Sequence, residues 1–149
     1  QPLDTRGNRG FAPTPPRLLM ELLADKDEHL RWWAVQLLGE DKFFLPQVLQ
    51  RFAAMAREEQ SSFVRLSIAS VLQRVPVNAR LTIAQGLVAR AEDANDPNLP
   101  LMIWYAIEPA VPEQRTQALQ LASQCKIPLV REFIARRLAN ARAPSQTVQ

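Results

Sequence analysis

The sequence predicts an all-α fold, an α-α superhelix of about four helix pairs stacked in register. Apolar residues return at helical spacing from Pro15 to about Asn140, with short polar turns between the runs. The second helix of every pair repeats one set of apolar offsets. Only four glycines occur in 149 residues and 47% of the chain is hydrophobic, a composition ordinary for a helical protein.

Residues 1–14 are polar and carry Pro2, Gly7, Gly10 and Pro13, which marks a linker or N-terminal arm. Phe11 is available to pack on the first pair. Helix one is expected over 15–24, with Thr14 as cap and Pro15-Pro16 in its first turn. Asp25-Lys26-Asp27 is a short turn, and helix two runs from 28 to Gly39. Helix three starts near Leu45-Pro46 and ends around Glu58. Ser61 or Ser62 caps helix four, which stops before Pro76. Asn78 is the expected cap of helix five, over 78–91, followed by the longest break, Glu92 to Asn98. Helix six covers 99–108 and is ended by Pro109. Helix seven opens at Pro112, and helix eight opens at Pro128 and fades at Asn140. The repeat domain thus spans 15–140, and 141–149 is a polar tail.

Eight helices with short turns fit a bundle or a solenoid, and the register between alternate helices decides. Arg31 and Arg65 are 34 residues apart, and Arg65 and Arg131 are 66 apart, close to two such steps. In this frame helix two offers Leu30, Trp33, Ala34, Leu37 and Leu38, and helix four offers Val64, Ile68, Val71 and Leu72. Helix six offers Leu101, Trp104, Tyr105 and Pro109, and helix eight offers Val130, Phe133, Ile134 and Leu138. One buried stripe recurs four times, which a four-helix bundle does not require.

Size and composition narrow the function classes. A chain of 149 residues is one domain or a short run of repeats. No apolar run approaches the roughly 20 residues of a membrane-spanning helix, so membrane insertion is not expected. The N-terminal residues lack the apolar core of a signal peptide and begin with Gln1, which suggests a processed piece of a longer protein. The net charge of +3 rests on fifteen arginines against three lysines, which permits acidic partners or nucleic acid without demanding them. Cys125 is the single cysteine, which excludes an internal disulfide and a cysteine metal cluster. P-loop, Gly-rich dinucleotide, Gly-x-Ser-x-Gly and His-Glu-x-x-His motifs are absent.

Asp27-x-x-Leu30-Arg31-x-x-Ala34-x-x-Leu37-Leu38-Gly39 resembles the second-helix signature of HEAT repeats, a HEAT/armadillo-like solenoid, and Ser61-x-x-Val64-Arg65-x-x-Ile68-x-x-Val71-Leu72 is a weaker copy. The resemblance implies that a turn carboxylate, Asp25 or Asp27, meets Arg31 and fixes the angle between the two helices. Arg65, preceded by Ser61-Ser62, needs a different acceptor. A longer series runs from Trp33-Ala34-Val35-Gln36-Leu37-Leu38-Gly39-Glu40 through Val64-Arg65-Leu66 and the stretch Asp96–Pro109 to Phe133-Ile134-Ala135-Arg136-Arg137-Leu138. It is similar to the HEAT-like middle region of large exported planctomycete and verrucomicrobial proteins labelled membrane-bound dehydrogenase or haem-binding. That resemblance implies a periplasmic or exported setting, an N-terminal β-propeller and a C-terminal cytochrome c module carrying haem. This segment holds neither module, since a Cys-x-x-Cys-His haem motif needs two cysteines, and no cofactor is expected in it.

Among candidate sites, Glu108 stands out. It belongs to the most apolar stretch, Asn98–Pro109, beside Trp104 and the only tyrosine, Tyr105. It takes the i+7 offset of the stripe, where helix eight carries Arg137. The two are expected to face each other as a buried structural ion pair rather than as catalytic groups. Asp27 and Arg31 are the second expected pair. Trp33, Trp104 and Tyr105 fall on the stripe and are expected in the core. Trp32 lies off it, as a ligand contact or as edge-of-core packing. The oxygen-rich segment Glu92–Asn98 raises calcium but lacks the EF-hand pattern, so capping is expected. His29 is expected at the surface and Cys125 in the core.

Arg131, Arg136, Arg137 and Arg142, with Arg65, Arg74 and Arg80, suggest a nucleic-acid track, as in HEAT-like DNA glycosylases. The competing expectation is a solvated face with local pairs such as Glu132–Arg136. Aromatic residues are not interleaved with these arginines, unlike a single-strand groove. The expected function is a non-catalytic scaffold that binds a protein or neighbouring domains of its own chain through Trp32, Arg65, Arg131 and Arg136. A nucleic-acid-binding domain is the alternative.

Overall fold

A computed structural model describes residues 14–41 and 43–141. The expected arm and tail, with Phe11 and Arg142, lie outside these residues apart from Thr14 and Ala141. Among the described residues the chain is all-helical, with nine α-helices and no strand.

Helix α1 (Pro16–Leu22) starts after Pro15, and Thr14 does not cap it. In α2 (Glu28–Leu38) the Asp27 carboxylate accepts the His29 N–H at 2.8 Å, which satisfies one orphan donor of the first turn. Helix α3 (Pro46–Glu58) begins on a proline, whose missing N–H costs nothing in a first turn. In α4 (Ser62–Leu72) the cap is Ser61, whose hydroxyl accepts the Val64 N–H at 3.4 Å. Helix α5 (Val77–Val88) starts directly after Pro76 rather than at an Asn78 cap, and ends short of the expected 91. A 3₁₀ turn, Ala91–Asn95, follows. Asp96 then accepts the N–H groups of Asn98 and Leu99, both at 2.8 Å, to open α6 (Leu99–Ile107). The expected seventh helix is two, α7 (Ala110–Glu113) and α8 (Arg115–Gln124), broken at Gln114. Helix α9 (Pro128–Asn140) ends the described chain.

The helices lie in two rows. Helix α3 packs on α5 and α5 on α8, while α2 packs on α4, α4 on α6 and α6 on α9. The core fills the space between them, with Phe52, Ile68, Leu87, Ile103 and Ile134 among its fully buried side chains. Two glycines mark the tightest crossings. A Cβ on Gly86 of α5 would stand 2.6 Å from the Ala56 carbonyl carbon and the Arg57 nitrogen of α3. A Cβ on Gly39 would stand 2.6 Å from Val71 Cγ1.

The stripe differs from the expected one in two helices. In α4 and α9 it runs through Val64, Ile68 and Leu72, and through Val130, Ile134 and Leu138. In α6 it is Leu99, Ile103 and Ile107, two residues out of the expected phase, and Leu101 and Tyr105 are exposed. The run from Leu99 to Ile107 is apolar at every angle, so its own residues do not mark which face is buried. In α2 only Ala34, Val35 and Leu38 are buried, and Leu30 and Trp33 face out because no second helix precedes them among the described residues.

Candidate binding surface

Two arginines pin the second-helix row with one repeated geometry. Arg31 and Arg65 each stand four residues beyond an N-cap, Asp27 and Ser61. Arg31 donates from Nε and Nη2 to the Glu59 carboxylate, at 2.9 and 2.8 Å, and from Nη1 to the Asp25 carbonyl at 2.9 Å. Arg65 donates from Nε and Nη2 to the Asp93 carboxylate, at 2.7 and 2.6 Å, and from Nη1 to the Glu59 carbonyl at 2.9 Å. In both cases the carboxylate lies 28 residues ahead and the carbonyl 6 behind. Each arginine therefore ties the turn before its own helix to the turn before the next second helix.

The Arg65 and Asp93 side chains are each only 3% exposed. Charges at this depth persist because the planar fork satisfies both carboxylate oxygens and the spare N–H finds a carbonyl. Hydrogen bonding from Arg65 to Asp93 raises the guanidinium pKa further, against the opposing effect of burial. Burial disfavours the Glu59 carboxylate, but Arg31 and the Ser61 N–H outweigh it and hold the carboxyl below the usual glutamate range. Glu59 is thus an ionised structural acceptor.

The expected Asp27–Arg31 pair is not formed. Asp27 is committed to the helix start, on the His29 N–H and 3.2 Å from His29 Nδ1, while Glu59 offers Arg31 two oxygens in the plane of its fork. Arg65, expected on a partner surface, is buried against Asp93 instead. Sequence reasoning missed Glu59 and Asp93 as acceptors. The signal that finds them is their common 28-residue offset from the two arginines.

The α6/α9 junction has no such rung. Pro100 follows the buried Leu99 as Arg65 follows Val64, so it takes the arginine's place, and Cys125 stands six before Arg131, where Glu59 stands before Arg65. The Cys125 thiol is buried, donates to the Ile127 carbonyl at 3.3 Å and is pushed up by burial. Here Arg137 Nε donates to Glu108 Oε1 at 2.9 Å. The pair is not in the buried stack where it was expected: its side chains are 35% and 41% exposed. The shifted phase of α6 carries Glu108 to the rim. Trp104 and Phe133, 5.3 Å between centroids, close the same junction.

The exposed surface of this row is aromatic. Phe63 stacks on Trp32 at 5.6 Å, His29 leans on Phe63 at 5.5 Å, and Trp33 meets Trp32 edge-on at 4.9 Å. Trp32, expected as a ligand contact or as edge-of-core packing, is half-buried and packs against the core in this cluster. Trp33 and Tyr105, expected in the core, are 56% and 58% exposed. Phe63, Leu101 and Leu129 are exposed on the same row.

The arginines of the described residues do not form a free basic track. Arg80 donates to the carbonyls of Val75, Gln73 and Ala106 at 2.8, 2.8 and 2.9 Å. Arg136 pairs with Glu132, and Arg137 with Glu108. Arg74 and Arg131 stay exposed. In the oxygen-rich segment, Asp93 is taken by Arg65 and Asp96 caps α6. Among the described residues no three His, Cys, Asp or Glu side chains gather as a metal site. None of their helices is long and apolar enough to cross a membrane.

No protein-family model matches this chain, and neither a curated protein nor a solved structure matches it.

Proposed function

We propose that this chain is a HEAT-like α-solenoid acting as a non-catalytic scaffold, which binds a protein partner on its second-helix row. One observation carries the reading: Phe63, Leu101 and Tyr105 are exposed on that row, while the buried charges neutralise one another. Aromatic side chains that present large area with few rotatable bonds are the usual anchors of protein interfaces. The repeated Arg31 and Arg65 geometry supports the solenoid, because each contact joins one helix pair to the next. The non-catalytic reading is supported by Glu59 and Asp93, whose carboxylate oxygens are both taken by guanidinium groups. Placement in a larger exported redox protein rests on the sequence likeness, and haem would belong to that protein's cytochrome module. The nucleic-acid alternative has less support, since Arg65, Arg80, Arg136 and Arg137 are already engaged.

A photo-crosslinking residue at Tyr105, with Thr116 as an exposed control on the other row, tests the reading in cells that make the protein. A discrete protein adduct at Tyr105 and none at Thr116 is the expected result. An adduct to nucleic acid, or none at all, would overturn it.

A further inference from the structure

The α2/α4 junction fixes which positions of one second helix meet the next. Trp32 stacks on Phe63, Gln36 Nε2 donates to Ser67 Oγ at 2.8 Å, and Gly39 abuts Val71. Helix α4 therefore receives its predecessor on Phe63, Val64, Ser67 and Val71. The same positions of α2 are His29, Leu30, Trp33 and Leu37, and no described second helix covers them. Leu30 is 40% exposed where its counterparts Val64, Leu99 and Val130 are fully buried. Asp25 repeats the setting of Glu59. Its Oδ1 accepts the Asp27 N–H at 2.8 Å as Glu59 Oε1 accepts the Ser61 N–H at 3.0 Å, but no guanidinium meets its carboxylate among the described residues.

The opposite end of the row holds the matching half. Arg131 stands four residues beyond its N-cap, Ile127, as Arg31 and Arg65 do beyond theirs. It is exposed and finds no acceptor among the described residues. Glu132, Arg136 and Ala139 take the positions of Trp32, Gln36 and Gly39, and all three are exposed.

We propose that the α2 face carrying Leu30 and Trp33 is covered by α9 of a second copy of this chain, with Arg131 of one copy on Asp25 of the next. The inference rests on the repeat reading of the fold and names one occupant for its open end. Charge selects a second copy. The internal pairing rule sets Arg131 against Asp25, Glu132 against His29 and the Arg136 guanidinium over the Trp33 ring. The two surfaces differ, so copies add head to tail instead of closing a symmetric dimer.

Sedimentation velocity of the full chain over a concentration series reads the association directly. The weight-average mass is expected to rise with concentration beyond one chain. Asp25→Arg and Arg131→Glu, alone, are each expected to weaken association by about tenfold or more, and an equimolar mixture of the two to recover it. Trp33→Glu, at an exposed position, is expected to abolish it with an unchanged thermal melt. A wild-type chain that stays monomeric overturns the inference, and so does association that survives all three substitutions. A monomer that still crosslinks a foreign protein at Tyr105 sinks this inference alone. Association without any foreign adduct sinks the partner reading alone.

Discussion

The α4/α6 and α6/α9 junctions join helices of the same row by contrasting means. At α4/α6 the Arg65–Asp93 pair is sealed from solvent and supported by the Glu59 carbonyl. At α6/α9 the place of the arginine is Pro100, and a half-exposed Glu108–Arg137 pair sits at the far end of the helices beside Trp104 and Phe133. The first junction fixes geometry strongly, because every alternative leaves a buried charge unpaired. The second rests mostly on apolar contact, and its charges keep much of their hydration. An ion pair's importance here follows its depth, not its distance.

That contrast sets the order of expected effects. Asp93→Ala strands Arg65 in the core and is expected to cost about 3–5 kcal/mol in urea denaturation. Replacing both partners with apolar residues of similar size should cost much less, and an equal cost would break the depth argument. Gly86→Ala serves as a packing reference in the other row. Its Cβ would overlap the α3 backbone, for an expected loss of about 1–3 kcal/mol in the same measurement.

Glu59 supplies a pH test. Its folded pKa is lowered, so its stabilisation is complete above the ordinary glutamate pKa and is lost as pH falls through the lowered value. Glu59→Gln should therefore flatten the acid limb of the stability curve, below about pH 4, relative to wild type. The smallest effect belongs to Glu108→Gln, expected to cost under about 1 kcal/mol and less in high salt. A loss as large as that of Asp93→Ala would mean the two junctions do not differ.

Helix boundaries were legible where a side chain announces them. Asp27, Ser61, Pro46 and Pro128 lie at or next to helix starts as read, because capping and proline chemistry are local. The phase of α6 was not legible, since Leu99–Ile107 offers apolar residues on all sides. The same shift explains why Tyr105 faces out and why Glu108 lies at the rim. Arg31 was legible as a pinning residue but not its acceptor, because Glu59 is close only after the next pair has folded back. Trp33 matched the stripe, yet it faces a side of α2 that no second helix covers among the described residues.

Glu59 has a mechanical consequence. Its side chain receives Arg31 while its carbonyl receives Arg65, which in turn holds Asp93, so one chain of bonds runs from α2 through α4 to the turn before α6. A torque applied at α2 passes to α6 through short, directional bonds with little slack. Helix α9 hangs on softer contacts, and the row behaves as a stiff lever with a compliant tip. Bending under load should concentrate between α6 and α9, and whatever α9 carries can swing while the first three second helices move as one body.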